Sequence, residues 1–113
     1  MNESFLSQST LLYVEDDEAI RTFLETRLKR KVKELYVAVD GQDGFEQFNK
    51  HQPDLILTDV TMPRLNGIEM SRKIKEISKD TPIVIMSAHS DTSFLLEAIE
   101  LGISGYLLKP VDK

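Results

Sequence analysis

The chain has 113 residues, 41% hydrophobic and 29% charged, which suffices for one soluble domain with a single core and leaves no room for a second. Asp and Glu number 19 against 14 Lys and Arg, and the net charge of −5 disfavours direct binding to nucleic acid or to an anionic membrane surface. With no cysteine there is no disulfide, thiolate metal site or Cys nucleophile. No apolar run approaches the roughly 18–20 residues of a membrane span, and the first ten residues lack the pattern of a signal peptide, so the expected location is the cytoplasm.

Residues 1–9 are polar and are expected to form a flexible N-terminal segment, ahead of a domain covering 10–113. Thr10–Val14 is a short apolar run of strand length. Asp16, Asp17 and Glu18 follow, and Ile20, Phe23, Leu24 and Leu28 then recur at helical spacing, with basic residues gathering towards Lys31. Leu35–Val39 predicts a second strand, closed by Asp40-Gly41, and Gln42 to Lys50 a helix with Phe45 and Phe48 on one side. After Pro53, the near-continuous apolar run 54–58 suits a central strand buried on both faces, and it delivers Asp59.

Met62-Pro63 and Asn66-Gly67 supply turn chemistry, and Ile68, Met70, Ile74 and Ile77 mark a third helix. Pro82–Met86 predicts a fourth strand ending at Ser87. Asp91 or Thr92 can cap a fourth helix that carries Phe94, Leu95, Ala98 and Leu101 inward and stops at Gly102. Ser104–Leu108 is a fifth strand, delivering Lys109 before Pro110. Strand and helix alternate without a hairpin signal, so the expected fold is α/β, a doubly wound five-stranded parallel sheet joined by right-handed crossovers.

In such a sheet, polar residues that end successive strands emerge at one edge, where sites of open α/β folds lie. Asp16–Asp17, Asp59, Ser87 and Lys109 all have that placement. Three carboxylates brought together repel unless a cation lies between them, and a few hard oxygen ligands suit Mg²⁺ with retained waters. Lys109 and Ser87 add a cation and a hydroxyl donor, groups suited to holding a phosphoryl group.

These residues, with Met62-Pro63, Asn66-Gly67, Ser87-Ala88 and Lys109-Pro110 in register, resemble the receiver domain of two-component response regulators from Thr10 to Pro110. The resemblance implies the flavodoxin-like strand order 2-1-3-4-5. It also implies that Asp59 accepts a phosphoryl group from a phosphohistidine on a sensor histidine kinase or phosphotransfer protein, making the domain a signalling switch rather than an enzyme. Asp17, Asp59 and the backbone carbonyl of Thr61 would hold Mg²⁺ directly, and Asp16 through a water. Lys109 would pair with a phosphoryl oxygen, aimed by a cis peptide bond before Pro110. Ser87 would move towards the phosphoryl group and Tyr106 would rotate inward, changing the face of the fourth predicted helix and fifth strand that meets an output domain or partner. Thr61 and His89 would set the lifetime of the acyl phosphate.

Taken singly, each residue has a plainer role. The acidic pair could serve a helix N-terminus, Asp59 a turn, Ser87 a cap, Lys109 solvent and Tyr106 a half-buried strand. Two other functions compete with the phospho-acceptor: a Mg²⁺-dependent aspartyl phosphohydrolase, and a constitutive interaction module with the receiver fold. Against the hydrolase, Thr61 stands where such enzymes carry a second Asp. The sequence ends soon after the fifth strand, so the expectation is a domain cut before a fifth helix, which would otherwise leave apolar sheet exposed.

Overall fold

The computed structural model describes residues 3–62, 64–87 and 95–108. In chain order the elements are α1 (Glu3–Ser7), β1 (Thr10–Val14), α2 (Glu18–Lys29), β2 (Glu34–Ala38), α3 (Gly41–His51), β3 (Leu55–Asp59), α4 (Gly67–Ile77), β4 (Ile83–Ser87), α5 (Leu95–Leu101) and β5 (Gly105–Leu108). All five strands are parallel, in the order β2-β1-β3-β4-β5 that the family resemblance implies.

Residues 3–7 form a helical turn, tied back where Ser9 Oγ donates to the Phe5 carbonyl at 2.7 Å, and Lys33 N–H donates to the Ser9 carbonyl at 2.8 Å. The fourth helix expected from sequence is therefore α5.

Strand alternation sorts the core into two faces. Leu12, Val14, Ala38, Ile56, Ile83 and Ile85 face α3, α4 and α5, and pack with Phe48, Ile68, Met70, Ile74 and Ala98. On the opposite face Tyr13 and Met86 pack with Leu24 of α2, joined by the half-buried Leu28, Leu35 and Leu57. Leu24 and Leu28 thus carry the inward stripe of α2, whereas Ile20 and Phe23, at the same helical spacing, are exposed. The Phe23 ring instead lies 4.4 Å from the Arg27 guanidinium. By strand register Leu107 shares the α2 face with Met86, and its side chain is 43% exposed.

The register of the central pair is fixed at its foot. Thr10 N–H donates to Asp54 Oδ2 at 2.9 Å, and Asp54 N–H donates back to Thr10 Oγ1 at 3.0 Å. From there Leu11 pairs with Leu55, and successive partners run to Val14 with Thr58. The next residue on each strand is therefore Glu15 on one and Asp59 on the other.

Candidate functional site

At the carboxyl edge of the sheet, Glu15, Asp16 and Asp59 each present a carboxylate oxygen within 4.8 Å of the other two. Glu15 and Asp59 are buried and Asp16 is exposed. The side-chain period of two turns Glu15 to the same face as Tyr13, and Asp59 to the same face as Leu57. Two buried like charges at this separation repel by on the order of 3 kcal/mol at an effective dielectric of about 20. The site is thus predisposed to take a cation.

The acidic pair that meets Asp59 is shifted by one residue from the pair expected. Asp17 lies outside this cluster and is the N-cap of α2, its Oδ1 accepting from Ile20 N–H at 3.0 Å. Its own N–H donates to Glu15 Oε2 at 3.2 Å, which steadies the turn. Arg21, one turn into α2, donates through Nη1 to the carbonyls of Glu15 at 2.8 Å and Asp16 at 3.3 Å. Asp17, expected as a direct ligand, thus has one carboxylate oxygen engaged in starting the helix, while Glu15, which the sequence reading did not single out, stands in the cluster.

Beneath the acids lies Tyr13, fully buried, with no hydrogen-bond partner for its hydroxyl. Burial, followed by the Glu15 and Asp59 carboxylates, raises its pKa above the ordinary tyrosine value, and Arg21 offsets part of this. The phenol therefore stays neutral.

Asp59 is the last residue of β3, and the chain turns immediately after it. Val60 N–H lies 3.0 Å from Asp59 Oδ1 and 3.1 Å from the Met86 carbonyl. Gly67 N–H closes the loop onto the Val60 carbonyl at 2.8 Å. A Cβ on Gly67 would come within 2.1 Å of the Asp59 carbonyl oxygen, so only glycine permits this approach. Asn66 and Glu69 then start α4 with a reciprocal capping box, at 2.8 Å and 3.1 Å. Thr61 lies in this loop, exposed, two residues beyond Asp59.

Ser87 ends β4 and is buried. Tyr106 pairs with Ile85 on the adjacent strand, which sets it on the same face as Ser87 and one pleat below, packed partly against the main core. The two residues are thus diagonal neighbours on one face of β4 and β5. His89, Lys109, Pro110 and the 109–110 peptide bond lie outside the described residues, as do the helix-capping candidates Asp91 and Thr92.

No helix among the described residues is long and apolar enough to cross a membrane. The family model for the response regulator receiver domain matches residues 11–113. Among similar proteins, the transcriptional regulatory protein AfsQ1 of Streptomyces coelicolor is 37% identical over 103 residues, covering 91% of this chain and 45% of its own length. The response regulator ArlR of Staphylococcus aureus is 37% identical over 102 residues, covering 90% of this chain and 46% of its own. The chain thus spans about half the length of these relatives. A solved N-terminal domain of an uncharacterized Wolinella succinogenes protein superposes with a TM-score of 0.86 at 38% identity, over 91% of this chain and 83% of that one. Sequence match, strand order and the acids at the sheet edge agree: this chain belongs to the response regulator receiver domain family.

Proposed function

We propose that the domain is a phospho-acceptor switch in which the Asp59 carboxylate takes a phosphoryl group from a phosphohistidine of a sensor kinase or phosphotransfer protein. The observation that carries this reading is the convergence of Glu15, Asp16 and Asp59 at the end of the central strands. An Asp59 oxygen bonds to phosphorus as the phosphorus–nitrogen bond breaks, and the bonding electron pair returns to the imidazole ring. The product is an acyl phosphate on Asp59.

The donor set fits a hard divalent cation, because every side-chain ligand offered is a carboxylate oxygen. We assign Mg²⁺ to Asp16, Asp59 and the Thr61 carbonyl, with Glu15 completing the shell, a ligand set displaced by one residue from the sequence-based one. Bound there, the cation supplies charge neutralisation for the incoming phosphoryl group. Arg21 holds the Glu15–Asp16 backbone in place, and Lys109 is assigned to a phosphoryl oxygen.

Ser87 and Tyr106 form the switching pair in this reading. Their placement on one face of adjacent strands supports it, since a shift of the Ser87 hydroxyl towards Asp59 alters the space above the Tyr106 ring. The altered surface is that of α5 and β5, where Leu96 and Ile99 are 72% and 62% exposed and offer apolar area to an output domain or partner. Thr61 and His89 are assigned to setting the lifetime of the acyl phosphate, and the cytoplasm is the proposed location.

Intact-mass spectrometry after treatment with acetyl phosphate tests the reading. A Mg²⁺-dependent phosphoryl adduct in the wild type and none in Asp59→Asn is the expected result. A folded wild type that takes no adduct would overturn it and favour the constitutive interaction module. Sustained hydrolysis of an external phosphate ester would favour the hydrolase instead.

A further inference from the structure

The loop between β3 and α4 is tied at its tip to a different part of the fold. Arg64 adopts a left-handed backbone conformation with φ +70°, which is unfavourable for a residue with a long side chain and persists where surrounding contacts impose it. Its guanidinium reaches the β2–α3 turn, where Nε and Nη2 lie 3.1 Å and 2.9 Å from the same oxygen, Oδ2, of Asp40. Asp40 is itself firmly held: it is buried, and its other oxygen, Oδ1, caps α3 by accepting from Asp43 N–H at 2.8 Å. Beside this pair the two backbones touch. A Cβ on Gly41 would come within 1.8 Å of the Leu65 carbonyl oxygen.

We propose that Arg64, anchored by Asp40, is a positioning residue for the acceptor loop, and that the pair tunes how tightly the acidic pocket holds a divalent cation. The loop is closed at its base by Gly67 on Val60 and pinned at its tip by Arg64 on Asp40. Thr61 lies between the two ties. The inference rests on the proposed function in one respect, the Thr61 carbonyl as a ligand. A backbone ligand has no rotamers with which to adjust, so its location follows from the loop conformation alone. Freeing the tip lets the carbonyl sample positions away from the cation, and affinity falls.

Charge alone predicts the opposite sign for Arg64. Removing a positive side chain near an acidic pocket strengthens cation binding by simple electrostatics. Loss of the tether weakens it. Arg64→Gly therefore separates the two effects, and glycine also accepts the positive φ without strain. Asp40→Ser removes the anchor while keeping a good helix N-cap.

The experiment is an NMR titration of the backbone amides with Mg²⁺ for the wild type, Arg64→Gly, Arg64→Lys and Asp40→Ser, with thermal midpoints measured without metal. We expect the Mg²⁺ dissociation constant to rise roughly three- to tenfold in Arg64→Gly and Asp40→Ser, and less in Arg64→Lys. The Arg64→Gly/Asp40→Ser double variant should bind no more weakly than Asp40→Ser, and the midpoints should fall by no more than about 5 °C, as for the loss of one partly exposed ion pair. Unchanged or tighter Mg²⁺ binding by folded Arg64→Gly overturns the positioning role and leaves the acceptor site standing. A wild type that shows no Mg²⁺-dependent shifts around Asp59 overturns the metal assignment itself, and the positioning role with it.

Discussion

Thr10 and Asp54 bind each other at the foot of β1 and β3, and their pairing decides which acids meet at the far end. Besides the two backbone N–H bonds to side chains, Thr10 Oγ1 donates to Asp54 Oδ2 at 3.2 Å and Asp54 N–H reaches the Thr10 carbonyl at 3.0 Å. Counting upwards from this pair, each strand arrives at its buried acid in step, Glu15 on one and Asp59 on the other. A slip of one residue would send Tyr13 or Leu57 to the wrong face and part the carboxylates.

Thr10→Val keeps the backbone ladder and the β-branched shape but removes the hydroxyl from this lock. Urea denaturation should show a loss of about 0.5–1.5 kcal/mol. A variant as stable as the wild type would mean that the strand pairing needs no fastening at its foot.

Asp16 and Asp17, though adjacent and identical in type, should behave differently. Asp17→Ala removes a helix cap and should cost about 1 kcal/mol of stability while leaving Mg²⁺ affinity nearly intact, and Asp17→Ser should recover most of that loss. Asp16→Asn should do the reverse, abolishing measurable Mg²⁺ binding with little change in stability. Equal effects of Asp16→Asn and Asp17→Asn on Mg²⁺ binding would contradict the one-residue shift.

Repulsion among the carboxylates in metal-free buffer should be visible as latent instability. In metal-free buffer Asp59→Asn should raise stability by about 1 kcal/mol, because it removes one of two buried like charges. Mg²⁺ at ten times its dissociation constant should add about 1.4 kcal/mol to the wild type and nothing to the variant. Differential scanning calorimetry with and without Mg²⁺ reads both quantities, and a variant that still gains from Mg²⁺ would place the cation elsewhere.

Two groups give the stability profile its limbs. The Tyr13 pKa is raised in the folded state, so its contribution is intact below the unfolded value near 10 and is lost as pH rises beyond it. For Asp40, burial acts to raise the pKa but is outweighed by the Asp43 N–H and by Arg64, so the folded value is lowered. Its contribution is present above the unfolded value near 4 and disappears as pH falls further. Tyr13→Phe should flatten the alkaline limb and cost nothing at neutral pH, since the buried hydroxyl has no partner to lose. Arg64→Gly should flatten the acid limb. Denaturation midpoints measured across pH would refute these assignments if either limb kept its slope.

Most of the frame was legible in the sequence because each strand is a short apolar run ended by a polar residue, and α2, α3 and α4 each begin at a capping residue. Asp59 and Ser87 are each the last residue of a strand, as their position after an apolar run suggests. The convergence of Glu15 with Asp16 and Asp59 was less legible, because the two aspartates that follow Glu15 carry the stronger local signal. Matching the ends of Thr10–Val14 and the run 55–58 would have set Glu15 beside Asp59, and Asp17, three residues before Ile20, already had the form of an N-cap. Helix α1 escaped because five residues give too little periodicity. The Asp40–Arg64 pair joins two turns 24 residues apart, and no local pattern announces such a contact.

The separation of 44 residues between Thr10 and Asp54 has a consequence for how the acidic cluster comes into being. No hairpin or single helix can assemble the acids; that waits for a long-range parallel pairing across which loop-closure entropy has already been lost. Under the proposed function, phosphoryl uptake would accordingly count completed molecules. A chain still in transit, or one whose β1 has come away from β3, has its acids parted, and under that function it would contribute no signal, so that incomplete folding would be silent rather than falsely active.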